Sequence, residues 1–111
     1  MLNGFYWIVE KEMAGMALPT GARAYLYLED ADKAAREELH YEIDQLKELG
    51  IGAVVTLTEY PLAEKAMQEA GIHYLHLPVP DMTAPTQSQI AQFIEFSREK
   101  IQARRPVAVH C

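Results

Sequence analysis

Cys111 and Asp81 are the side chains of this sequence whose types and spacing point to chemistry. A cysteine is a nucleophile as its thiolate, and an aspartate can deliver a proton and later remove one. They stand 111 − 81 = 30 residues apart, with one long amphipathic segment between them. Each follows a short apolar run that reads as a strand. Ligands of open α/β sheets bind beyond the carboxyl ends of the strands. Two neighbouring parallel strands joined by a helical crossover would therefore bring both groups to one sheet edge. Taken singly, each has a plainer reading: a strand-end cysteine is usually a core residue, and an aspartate after proline is usually a turn former. The joint placement is what favours chemistry.

The elements that must position them follow from the hydrophobic pattern. Phe5 to Val9 is aromatic and β-branched, as strands are, and Met13 to Leu18 reads as a second short strand or an irregular return. Thr20 to Asp32 has no clear period, although Tyr25 to Leu28 alternates. From Ala35 the period is helical, with Leu39, Ile43 and Leu46 on one face and Gly50 where a C-cap glycine belongs. Ile51 to Leu57 is an apolar run without alternation, the pattern of a strand buried on both sides. Pro61 is placed to open the next helix, with Leu62, Ala66 and Ala70 on its inner side and Gly71 at its end. Ile72 to Leu77 is the next strand, and Pro78-Val79-Pro80-Asp81 must leave the ladder as a loop. Thr86 and Gln89 have capping-box spacing. Ile90, Phe93, Ile94, Phe96, Ser97 and Ile101 continue as a helix with a broad apolar face, and Arg104 and Arg105 suit its carboxyl-end dipole. Pro106 to His110 is a last buried strand ending at Cys111. The order helix, strand, helix, strand, helix, strand calls for an α/β fold, a twisted and mainly parallel sheet of four or five strands with helices on both faces.

Composition narrows the function classes. With 111 residues, half of them apolar and 23% charged, the chain is an ordinary globular protein of one domain or part of one. A net charge of −6 offers no general field for DNA or RNA, so nucleic acid is not an expected partner. A single cysteine forms no internal disulfide and suits a reducing, cytoplasmic setting. No apolar run approaches the roughly 20 residues of a membrane span, and the amino terminus lacks signal-peptide features. His73 and His76, three apart on a strand, face opposite sides and do not make a metal pair. Asp30 and Asp32 read as an acidic helix start, and Trp7 as a core aromatic.

The strand and opening His-Cys, Val107-Ala108-Val109-His110-Cys111, resemble the start of the protein tyrosine and dual-specificity phosphatase signature, His-Cys-x5-Arg-Ser/Thr. Leu77-Pro78-Val79-Pro80-Asp81 is similar to the loop in which that family carries its general acid. Gly52 to Glu59 resembles a strand-to-loop segment of its small members, and Trp7 with Met13-Ala14-Gly15 resembles the amino-terminal region of the small atypical dual-specificity phosphatases. The likeness extends over nearly the whole chain, Tyr25 to Glu38 excepted, and stops at Cys111. Residues 1–111 are accordingly expected to be the amino-terminal portion of a single catalytic domain, inactive without the x5-Arg that the signature continues with.

The resemblance implies hydrolysis of phosphotyrosine, and of phosphoserine or phosphothreonine in dual-specificity members, through a phosphocysteine. Cys111 matches the nucleophile, Asp81 the general acid and then base, and His110 a residue supporting the thiolate. A thiolate at a helix amino terminus is favoured because backbone N–H groups and the dipole lower its pKa to roughly 3.5–7.5. No metal or organic cofactor is implied. The expected partners are a phosphorylated protein or a small phosphate monoester, with no membrane and a monomeric state. Phosphoinositides and RNA 5′-phosphates remain open as substrates. The rival class is a catalytically inactive phosphate-binding module; a redox role for Cys111 would need a second, resolving cysteine that these residues lack.

Overall fold

The computed structural model describes residues 2–19 and 33–111; Tyr25 to Leu28, Asp30 and Asp32 lie outside them. In chain order the elements are β1 (Tyr6–Val9), β2 (Met13–Gly15), α1 (Lys33–Glu48), β3 (Ala53–Thr56), α2 (Glu64–Glu69), β4 (His73–His76), α3 (Gln87–Gln102) and β5 (Val107–His110). The five strands form one sheet in the order β1-β2-β5-β3-β4. β1 and β2 are an antiparallel hairpin at one edge, and β2, β5, β3 and β4 run parallel to one another. The α/β architecture read from the pattern is the one observed.

The central strands are apolar on both faces because both are covered. Val54 and Ala108 face one side, packed with Leu39, Ile43 and Leu46 of α1 and with Met67 of α2. Ala53, Val55 and Val107 face the other, against Phe93, Phe96 and Ile101 of α3. Val54, Val55 and Val107 are wholly buried, and each side chain so removed from water contributes roughly 1.5–3 kcal/mol. α3 is covered less completely than its apolar pattern suggests: Ile90 and Ile94 remain nearly half exposed, since the sheet meets only one stripe of the helix.

Helix starts and stops are built from local chemistry. Thr86 accepts from the Gln89 N–H at 3.1 Å while the Gln89 amide oxygen accepts from the Thr86 N–H at 2.9 Å, a complete capping box. Pro61 does not open α2. That helix begins at Glu64, with Leu62 and Ala63 buried ahead of it and Met67 as its buried residue, while Ala66 and Ala70 are only partly buried. Each helix ends in the same pair of bonds. The Ile51 N–H reaches the Leu46 carbonyl and the Gly50 N–H that of Lys47; Ile72 and Gly71 do the same with Met67 and Gln68, and Arg105 and Arg104 with Lys100 and Ile101. This Schellman closure needs a left-handed residue. Gly50 and Gly71 supply it at φ +84° and +81°, but at the end of α3 it is Arg104, at φ +59°. Arg104 is thus a turn residue rather than a cation placed for the helix dipole, and Arg105 Nη1 donates to the Gly71 carbonyl at the end of α2, 3.2 Å away.

Candidate active site

Cys111 is set at the carboxyl edge by backbone bonds to both neighbouring strands. The Val109 carbonyl accepts from Met16 N–H at 3.1 Å, and the His110 carbonyl accepts from Leu57 N–H at 3.0 Å. The thiol is free and exposed. Asp81 arrives from the loop after β4, whose last ladder bond is Leu77 N–H to the Thr56 carbonyl. The two do not come from neighbouring strands as the spacing suggested. β3 lies between β4 and β5, because β5 inserts between β2 and β3 rather than adding outside β4. The groups still share an edge, since all these strands point the same way, and the loop after β3 lines the cavity between them.

Cys111 and Asp81 line one cavity of about 560 Å³. Its walls are Leu18 after β2, Leu57 to Tyr60 and Leu62 after β3, and Val79 to Thr83 after β4. Apolar and aromatic side chains therefore surround a thiol and two carboxylates, those of Asp81 and Glu59. The Asp81 segment is a tight turn: Thr83 N–H and Oγ1 both donate to the Pro80 carbonyl, at 3.1 and 2.6 Å. Met82, at φ +64°, takes its left-handed corner, where glycine or asparagine is usual. Gln89 Nε2 donates to the Pro78 carbonyl at 2.6 Å and fastens the loop to the start of α3.

His110 is buried behind Cys111, 3% exposed. Its Nε2 lies 2.9 Å from Thr56 Oγ1 on β3, its register partner. Burial lowers its pKa to about 4; the Cys111 backbone opposes the shift and nearby His76 adds to it. The imidazole beside Cys111 is therefore neutral at pH 7. Thr56 also touches Tyr74 on β4, whose hydroxyl accepts from Leu62 N–H at 2.8 Å. Burial raises the Tyr74 pKa, and the bonds from Thr56 and Leu62 oppose the rise. Half-buried Tyr74 and the buried Thr56 and His110 thus make a polar line across three strands, ending next to Cys111. His76 shares that face and binds the Thr58 carbonyl through Nε2 at 2.8 Å, whereas His73 is exposed.

Sequence reasoning named Cys111, Asp81 and His110 and missed Glu59, Thr56 and Tyr74. Glu59 stood inside a segment matched only for its strand-to-loop pattern, and Thr56 and Tyr74 read as strand residues. Their polar partners lie on other strands, which no local spacing reveals.

The fold has known counterparts. The chain resembles the solved structure of Tk-PTP in its active form, with a TM-score of 0.66 and 23% identity over 90% of this chain and 56% of that one. It also resembles that of kinase associated phosphatase bearing serine in place of its catalytic-site cysteine, with a TM-score of 0.61 and 15% identity over 99% and 63%. These likenesses are of fold, and the chain spans about three fifths of the structures it matches. No curated protein matches the sequence. The model of the family described as polymorphic toxin system, DSP-PTPase phosphatase, matches residues 26–111. With the phosphatase fold in place and more than three quarters of its length matched, the chain belongs to that family of phosphatases.

Proposed function

We propose that this chain carries the nucleophile and the proton donor of a cysteine-dependent phosphatase acting on phosphotyrosine and, through the open side of its cavity, on phosphoserine and phosphothreonine. The observation that carries the reading is that Cys111 and Asp81 line one cavity at the carboxyl edge of the sheet. The Cys111 thiolate attacks phosphorus, forming the P–S bond as the ester P–O bond breaks, and Asp81 protonates the departing oxygen. Water then attacks the phosphocysteine, Asp81 takes its proton, and phosphate leaves with the thiolate restored. The neutral, buried imidazole of His110 fixes the backbone from which Cys111 projects. Leu18, Leu57, Tyr60 and Val79 give an aromatic leaving group apolar walls. The mechanism asks nothing of a metal or organic cofactor, and membership of a family described as polymorphic toxin system, DSP-PTPase phosphatase, supports the phosphatase reading.

The test is turnover by the full-length protein. Cys111→Ser should abolish it. Asp81→Asn should slow phenyl phosphate, whose leaving oxygen needs a proton, by about 10²-fold or more, and slow p-nitrophenyl phosphate far less. Equal slowing of both substrates removes Asp81 from the acid role. Phosphopeptide binding without turnover by the unsubstituted protein would assign the chain to the binding-module class instead.

A further inference from the structure

We propose that Glu59 is a positioning residue for Asp81, a latch that holds the acid-bearing turn against the loop after β3; this rests on the reading of Asp81 as the proton donor. Glu59 Oε1 accepts a hydrogen bond from the Asp81 N–H at 3.2 Å, across 22 residues of chain. Both side chains line the cavity that holds Cys111. An ionised acceptor makes such a bond stronger than a neutral one would.

The two sides of the latch are built differently. The Glu59 side is braced: Leu57 N–H donates to the His110 carbonyl at 3.0 Å, His76 Nε2 to the Thr58 carbonyl at 2.8 Å, and Thr58 Oγ1 to the Tyr60 carbonyl at 2.7 Å. The Asp81 side is short of donors, because Pro78 and Pro80 have no N–H. Its own bonds run within the turn, Thr83 to Pro80, or back to α3, Gln89 to Pro78. Met82 beside Asp81 is 96% exposed and held at positive φ. Among the described residues, Glu59 provides the hydrogen bond that ties this turn to the opposite wall of the cavity. A general acid works only within hydrogen-bond reach of the oxygen it protonates, and a displacement of about 1 Å costs orders of magnitude in rate. The latch sets that reach.

The experiment uses the full-length protein and a series of aryl phosphates. Glu59→Ala should lower turnover of phenyl phosphate about tenfold, the scale of one lost hydrogen bond, and that of p-nitrophenyl phosphate by less than about twofold. Glu59→Gln, which keeps the acceptor oxygen, should restore most of the loss. In an Asp81→Asn background, Glu59→Ala should add nothing. Amide exchange should follow, with the Asp81 N–H protected in the unsubstituted and Glu59→Gln proteins and faster in Glu59→Ala. If Asp81→Asn shows the leaving-group dependence and Glu59→Ala slows both substrates alike, or adds fully to Asp81→Asn, this proposal is overturned alone. If Asp81→Asn itself lacks that dependence, the acid role fails and the latch fails with it.

Discussion

His110 places a titratable group where protonation opposes the fold. Its folded pKa of about 4 lies below the ordinary value of 6.5, so between those values the unfolded chain binds the proton and the folded chain does not. The stability linked to His110 is therefore fully present above about pH 6.5 and is lost as pH falls toward 4, by about 3 kcal/mol at most. We expect the urea midpoint to drop as pH is lowered from 7 to 5, and His110→Gln to flatten that dependence by about the same amount. A pH profile unchanged by His110→Gln would show that the imidazole is solvated. Thr56→Val, nearly isosteric, strips Nε2 of its partner and should cost about 1–3 kcal/mol, measurable as a shifted midpoint at pH 7.

Element ends carry the second kind of prediction. Arg104 occupies the left-handed position that glycine fills after α1 and α2, and a side chain there costs about 1 kcal/mol. Arg104→Gly should raise the unfolding free energy by about 0.5–1 kcal/mol, a sign opposite to that of most surface substitutions. A loss of stability would mean that the Arg104 side chain makes a compensating contact. At the other end of α3, Thr86→Ala removes the cap acceptor and should cost about 1 kcal/mol. Gln89 holds both the cap and the Pro78 carbonyl, so loosening this end should also loosen the loop that carries Asp81. Faster amide exchange through Asp81, Met82 and Thr83 in Thr86→Ala would check it.

Over the whole molecule, β3 and β5 approach each other closely at the end opposite the cavity. Gly52 and Ala53 N–H groups both donate to the Pro106 carbonyl, at 2.9 and 3.1 Å. A Cβ on Gly52 would lie 2.8 Å from the Cβ of Arg105 and 3.1 Å from its Cα. The second is backbone and cannot swing aside, so Gly52→Ala should cost about 1–3 kcal/mol and separate the strands at the end opposite the site. On the α1 side, Leu46 is 1% exposed and central to its cluster, and Leu46→Ala should lower the unfolding free energy by about 2–5 kcal/mol. A smaller effect would mean that α1 settles into the space.

Periodicity along the chain determined the elements and their order, because helix and strand patterns are local: Leu39, Ile43 and Leu46 sit one above another wherever the helix is placed, and the apolar runs of β3 and β5 demand cover on both faces. The placement of Cys111 and Asp81 at the carboxyl edge was legible for the same reason, each standing past a strand of known direction. The end of α3 was legible only in part, since its left-handed residue is an arginine and composition signals that position only when glycine fills it. Strand order was not local at all. That β5 enters between β2 and β3, parting Cys111 from Asp81 by a whole strand, depends on which helices cover which face. Once β3 stands between them, its own outgoing loop becomes the cavity wall. Thr56 then meets His110, and Glu59 meets Asp81, across 54 and 22 residues of chain. Hydrogen bonds at such separations exist only when packing brings the strands together, so the tertiary structure decided them.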